Sequence, residues 1–329
     1  MKKFIKVIAI VTAALMTVLC FAGCGQKDGK ENKKLKIGII QYMSHPSLDN
    51  CYKGVKEALD ASGLDYEEEF QTGSSASADS DCANFAKNMV SSNCDLIIAI
   101  ATPAAKAAYA ATPDTDIPVI FCAVSDPVAA ELVKSTDEPG DLCTGTSDVL
   151  DLKAQVDLIK SFQPNVKSVG ILYTSSEDNS VANLAAFQKV CDNNGITVVA
   201  SAVQSASDIP SAAEDLASKV DCINNFTDNN VVNNLSVVLS AADKYNIPVY
   251  GSEEEQVKNG CLASMSIDYV ALGKTTGNMA VDVLNGGNAA KMAVKTITDA
   301  TPVINKEVMN KLSYTLPSNY SDATFVENN

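Results

Sequence analysis

The chain has 329 residues with 40 acidic against 25 basic side chains, a formal net charge of −15, an excess that argues against nucleic acid or an anionic lipid surface as its main partner. All the basic residues are lysines and His45 is the single histidine, so multi-histidine metal sites are excluded and no guanidinium is on hand to grip a carboxylate in two-point fashion. Beyond Cys20 and Cys24, the cysteines stand without C-x-x-C spacing or a histidine neighbour, a pattern of small core residues rather than zinc or redox chemistry, and no metal or cofactor is expected.

Residues 1–23 carry lysines at positions 2, 3 and 6 and then an apolar run from Val7 to Ala22, the form of a secretory signal. Its end, Leu19-Cys20-Phe21-Ala22-Gly23-Cys24, resembles a bacterial lipoprotein signal in which Cys24 is lipidated and becomes the mature N-terminus, with Phe21 where leucine is usual. An uncleaved anchor is the alternative, but the run falls short of the roughly 20 residues a span needs. Residues 24–34, rich in Gly, Lys, Glu, Asp and Asn, read as a solvated tether. Cleavage removes three lysines and no acid, leaving a charge of −18.

Leu35 to Tyr42 reads as a strand, Ser44-His45-Pro46 as a helix start, and Leu48 to Ser62 as an amphipathic helix stopped at Gly63. Cys94 to Ala99 is a second apolar strand, after which Thr102-Pro103 opens an alanine-rich helix. Ile117 to Val124 is a nearly continuous apolar run, as in a strand buried on both faces of a parallel sheet. It ends in the turn Ser125-Asp126-Pro127, and Gly140 to Asp148 leads as a hinge into the second half of the chain.

That half repeats the first. Ser168 to Tyr173 is again a strand, Ser175 to Ser180 a polar turn, and Val181 to Asn194 a helix stopped at Gly195. Val220 to Phe226, Thr227-Asp228-Asn229 and a helix to Tyr245 match the Cys94 region, and Asn246-Ile247-Pro248-Val249 matches Asp116-Ile117-Pro118-Val119. The fold class expected is α/β, with two doubly wound parallel-sheet lobes joined by a hinge. Ligands of such sheets sit beyond the carboxyl ends of the strands. The candidate ligand-binding residues are therefore Gln41, Tyr42, Thr102, Ser125, Asp126, Tyr173, Glu177, Asn179, Ser180, Thr227, Asp228, Asn229 and Ser252. Many of these suit helix capping equally well.

The residues resemble substrate-binding lipoproteins of bacterial ABC importers, in the group of tryptophan- and tyrosine-type binders. The matching stretches are Ile37-Gly38-Ile39-Ile40-Gln41 with His45-Pro46-Ser47-Leu48-Asp49, Val119-Ile120-Phe121 with Val124-Ser125-Asp126-Pro127-Val128, and Pro139-Gly140 with Thr144-Gly145-Thr146-Ser147-Asp148. Further on they are Tyr173 with Glu177-Asp178-Asn179-Ser180, Thr227-Asp228-Asn229, Gly260 with Leu262-Ala263, and Tyr269 with Leu272-Gly273, Thr276-Gly277 and Met279-Ala280. The resemblance spans Leu35 to Pro317 and implies a type I periplasmic-binding fold in which three connections cross between lobes that close on the ligand. By that analogy lobe 1 comprises residues 35–146 plus about 268–300, and lobe 2 residues 147–267 plus about 301–329.

The implied ligand is an amino acid or similar zwitterion, aromatic ones foremost. Asp228 or Asp126 would take its ammonium. Hydroxyls and N–H groups at the helix starts after Thr102, Ser125 and Asn179 would take its carboxylate. Tyr42, Tyr173, Phe226 and Tyr250 would flank a ring, though each suits a core as well. An ABC permease with its ATPase and, through the N-terminal lipid, the membrane are the expected partners of a monomer. A ligand-sensing subunit for a membrane receptor, or a sugar or nucleoside binder, are the alternatives. An enzyme is not expected, since no G-x-S-x-G, phosphate loop or dinucleotide glycine pattern occurs. His45 is left open between a ligand contact and a capping role.

Overall fold

Leu96–Ile100 and Val119–Cys122 are buried at every position, and strands covered on both faces form the middle of a parallel sheet. The computed structural model that shows this describes residues 34–298 and 300–328. The expected signal segment, Cys24 and the tether as far as residue 33 lie outside them. The first part of the chain runs β1 (Leu35–Gln41), α1 (Pro46–Ala61), β2 (Tyr66–Thr72), α2 (Ala78–Ser91), β3 (Leu96–Ile100), α3 (Thr102–Ala111), β4 (Val119–Cys122) and β5 (Cys143–Ser147). Next come α4 (Leu152–Phe162), β6 (Ser168–Thr174), α5 (Asp178–Asn193), β7 (Thr197–Val203), α6 (Ile209–Ala217), β8 (Cys222–Asn224), α7 (Asn229–Asn233), α8 (Leu235–Lys244) and β9 (Val249–Tyr250). The chain then continues through α9 (Glu254–Lys258), β10 (Ala263–Ser266), α10 (Tyr269–Leu284), β11 (Lys295–Thr296), β12 (Thr301–Asn305), α11 (Lys306–Lys311) and β13 (Thr324–Val326).

One sheet has the order β2-β1-β3-β4-β5-β11, with β1/β3, β3/β4, β4/β5 and β5/β11 parallel. The acid-rich β2 takes an edge, where charge discourages further pairing. A second sheet has the order β7-β6-β8-β9. Leu262 N donates to Val249 O at 2.7 Å and Gly251 N to Ala263 O at 3.0 Å, and these bonds carry it on to β10, β12 and β13. The repeat read in the sequence thus reappears as one strand order, β2-β1-β3-β4 and β7-β6-β8-β9, in two α/β lobes. The chain passes between the sheets after β5, after β10 and after β11.

Some boundaries move. The apolar run expected as a strand from Ile117 to Val124 is a strand only over Val119–Cys122, because Pro118 has no N–H to donate and Ala123 turns to φ 57°. The helix expected to reach Tyr245 is divided at Asn234, whose Nδ2 donates back to Asn230 O at 2.8 Å. α1 and α10 cross closely through glycines. A Cβ at Gly273 would stand 2.0 Å from Cys51 O, and one at Gly54 2.1 Å from Val270 O. The crossing holds α10 on the first lobe and fixes the start of α1, which carries His45, Ser47 and Leu48.

The eight cysteines among the described residues are all buried and free. They fill the lobe cores as small apolar groups.

Candidate functional site

β1, β3, β4, β6 and β8 end on facing sides of the two lobes. Between them lies a cavity lined by His45, Ser47, Leu48, Ala101, Thr102, Ala123, Ser125, Asp148 and Tyr269 of the first lobe and its crossings, with Asn179, Thr227, Asn229, Val232 and Gln256 from the second. The cavity volume is about 20 Å³. Contacts that bridge the lobes around it include His45 Nε2 to Asn229 Oδ1 at 3.3 Å, Asn50 Nδ2 to Glu255 Oε1 at 3.3 Å, and the Lys106–Asp178 ion pair at the exposed rim.

Ala101 and Ala123 have φ of 80° and 57°, and each lines the cavity just beyond a strand end. Non-glycine residues held there cost of order 1–3 kcal/mol, and such strain gathers at ligand sites. At Ala101 the turn lets α3 begin at Thr102 beside the cavity, with first-turn N–H groups that have no carbonyl acceptor within the helix.

Asp148 is the carboxylate of the lining. It is 2 % exposed and accepts from Ser125 Oγ at 3.1 Å and from Tyr269 Oη at 2.7 Å. Burial pushes its carboxyl up to about 6 despite these hydrogen bonds, which favour the charged form. Around it are buried polar atoms without a hydrogen-bond partner: Thr102 Oγ1, Thr227 Oγ1, Asn179 Oδ1 and His45 Nδ1. Leaving such groups unpaired costs about 1–3 kcal/mol each. The cavity therefore offers hydroxyls and helix N–H groups on the one hand, and a carboxylate with neutral acceptors on the other.

Of the residues expected at the site, Thr102, Ser125, Asn179, Thr227 and Asn229 line the cavity. Asp228 is fully buried in its own lobe, where its oxygens accept from Thr174 N at 2.5 Å, Thr174 Oγ1 at 2.8 Å, Ser180 Oγ at 2.7 Å and Val231 N at 2.9 Å. It and Ser180 hold β6, α5 and α7 together behind the wall. Glu177 stands beside them and accepts from Asn229 N, Asn230 N and Asn229 Nδ2; burial and the neighbouring Asp228 push its carboxyl up to about 8. Asp126 is exposed and caps a turn through Ala129 N at 2.9 Å. Gln41 bonds Met43 O and Asp49, and Ser252 bonds Asn225 O. Tyr42 donates to Asp79 and lines a separate groove between the lobes, opposite Thr174, Ser176 and Gln204, rather than the cavity around Asp148.

Among the other rings, Tyr173 packs against the second lobe's core, Phe226 meets Phe187 edge-on at 5.5 Å, and Tyr250 is buried against Phe162. The ring that lines the cavity is Tyr269. His45, left open between a ligand contact and a capping role, lines the cavity, and so do Asp148 and Tyr269, which the expected site lacks. The signal for all three is their place in the matching stretches.

Two lobes of like strand order, meeting across a small polar cavity, define a solute-binding protein of the type I periplasmic class. The chain belongs to the ABC transporter substrate-binding protein family, whose model matches residues 36–325. It is 35 % identical over 325 residues to a tyrosine-binding protein of Clostridioides difficile (strain R20291), covering 93 % of this chain and 92 % of that one. A solved structure described as the ABC domain in complex with L-Trp from Streptococcus pneumonia matches with a TM-score of 0.85 and 38 % identity, over 89 % of this chain and all of that one. The ligand-free, open structure of a substrate-binding protein with adhesive properties from Clostridium difficile matches with a TM-score of 0.68 and 35 % identity, over 90 % of this chain and all of that one. Members of the family bind solutes rather than transform them and work outside the cytoplasm. Among the described residues no helix is long and apolar enough to cross a membrane.

Proposed function

We propose that this protein captures an aromatic amino acid between its lobes and delivers it to an ABC permease with its ATPase, held at the membrane by a lipid on Cys24. The observation that carries the ligand class is the buried Asp148 among unpaired donors and acceptors. A zwitterion supplies both what Asp148 and Asn179 Oδ1 lack and what Thr102, Thr227 and the start of α3 lack. The ammonium site is thereby assigned to Asp148, in place of Asp126 and Asp228. Leu48, Ala101, Ala123, Val232 and Tyr269 give the apolar wall for a side chain, and the relatives that bind tyrosine and L-Trp support a ring. A ring of that size enters with a widening of the cleft, as a hinged pair of lobes permits.

The test is a thermal-shift and calorimetric screen of the full chain in detergent against the amino acids, common sugars and nucleosides. A ligand at about 100 times its dissociation constant adds roughly 2.7 kcal/mol. Stabilisation by Trp, Tyr or Phe above all others is the expected result. Stabilisation by a sugar or nucleoside, with none by amino acids, would overturn the ligand class.

A further inference from the structure

His45 stands at the start of α1 without capping it: its side chain makes no bond to the helix, and it is 7 % exposed. Its ring instead reaches the second lobe through Nε2, while Nδ1 has no partner and the residue lines the cavity. A neutral imidazole has one N–H donor and one bare acceptor, and the partner of one nitrogen decides the state of the other. The partners can be followed back across the lobe boundary. Glu177 Oε2 accepts from Asn229 N at 3.1 Å, Asn229 Nδ2 at 2.6 Å and Asn179 Nδ2 at 3.3 Å, whereas Oε1 accepts only from Asn230 N at 3.2 Å, so the proton that the raised carboxyl holds at neutral pH sits on Oε1 and Oε2 is left as the acceptor. The amide of Asn229 is therefore oriented with its NH₂ toward Glu177 and its Oδ1 toward His45. Oδ1 can only accept, so Nε2 of His45 carries the proton. Nδ1 is then left as a bare acceptor in the cavity.

We infer that His45 Nδ1 accepts a hydrogen bond from the captured ligand, making His45 a binding and specificity residue that joins the ligand to the second lobe through Asn229 and Glu177. The inference deepens the amino-acid reading and rests on it. Asn179 Oδ1, Asp148 and the lining hydroxyls are further acceptors of the cavity, but His45 is tied to the opposite lobe through its own ring. A ligand that donates to Nδ1 strengthens the N–H on the far side of the same ring, and so favours closure on a ligand with the right donor. Burial holds the ring neutral, with its pKa lowered to about 4, against the opposing effects of Asn229 and Asp49.

The protein has one histidine, so ¹⁵N-histidine labelling of the full chain gives a single imidazole, and its two nitrogens are distinguished by their couplings to the ring protons. At neutral pH the expected tautomer is protonated at Nε2, with Nδ1 bare. On addition of Trp, Tyr or Phe, Nδ1 should move in the direction of a hydrogen-bonded nitrogen while Nε2 keeps its proton. A shift with all three assigns the donor as the ammonium; a shift with Trp and Tyr but not Phe assigns it as the indole N–H or phenol O–H.

Calorimetry on the same samples separates the inference from the reading beneath it. If an amino acid binds and Nδ1 does not move, or if Nδ1 carries the proton, the inference is wrong and the functional reading stands. If no amino acid binds, both fall. His45→Leu should weaken binding roughly 10- to 100-fold, the range for a hydrogen bond to a charged or fully buried group. His45→Gln, which keeps one donor and one acceptor, should restore most of it. Equal losses in the two variants would mean that the ring only fills space.

Discussion

Replacing Asp148 by Asn should move stability and affinity in opposite directions. In the free protein, burial raises this carboxyl from 3.8 to about 6, which corresponds to about 3 kcal/mol of destabilisation at neutral pH. Because the folded value lies above the unfolded one, that cost is absent below about pH 4, grows as the pH rises toward 6, and is complete above it. An uncharged amide removes it, and the hydroxyls of Ser125 and Tyr269 can rotate to suit. Asp148→Asn should therefore be as stable as the wild type or up to about 3 kcal/mol more stable in urea titrations at pH 7.

Ligand binding should respond the other way. Loss of a charge-assisted hydrogen bond costs about 1.5–3 kcal/mol, or roughly 10- to 150-fold in affinity. At a ligand concentration that stabilises the wild type by about 2.7 kcal/mol, a 100-fold loss leaves about 0.4 kcal/mol. The pH profile gives a second check. An ammonium beside Asp148 lowers its pKa on binding, so the contribution of the pair is present above about pH 6 and is lost as the pH falls through that value. Wild-type affinity should decline below pH 6, and Asp148→Asn should remove most of the slope. Affinity within threefold of wild type in the Asn variant, or a free protein clearly less stable than wild type, would refute the assignment.

Gly273→Ala should destabilise the first lobe by at least about 1–3 kcal/mol, as overpacking against backbone does, since the new Cβ would stand 2.0 Å from Cys51 O; an unchanged urea midpoint would contradict the close crossing of α1 and α10. Asp228→Ala should act chiefly on stability. It strips Thr174 N, Thr174 Oγ1, Ser180 Oγ and Val231 N of their acceptor, at about 1–3 kcal/mol for each donor left buried and unpaired. Calorimetry on the fraction that remains folded should show a smaller loss of affinity than Asp148→Asn, and a larger loss would return the ammonium to Asp228.

The two-lobed α/β architecture and its internal repeat are legible in the residues alone, because both rest on local signals. Apolar runs such as Leu96–Ile100 read as buried strands, Gly63 and Gly195 stop helices at φ of 74° and 69°, and the same order of such signals occurs twice. The residues also place Thr102, Ser125, Asn179, Thr227 and Asn229 at strand ends facing the cavity, since strand ends follow from strand positions. Which polar side chains face the cavity and which are consumed within a lobe depends on contacts between distant segments. Asp228 and Asp148 both follow strand ends and look alike in sequence, but Asp228 meets Thr174 and Ser180 from a segment some 50 residues away, while Asp148 sits on a crossing with oxygens turned to Ser125 and Tyr269. His45 is equally undecided by its neighbours in the chain. Its proton follows from Asn229 and Glu177 in the other lobe, and a hydrogen-bond direction set across 184 residues has no local trace in the sequence.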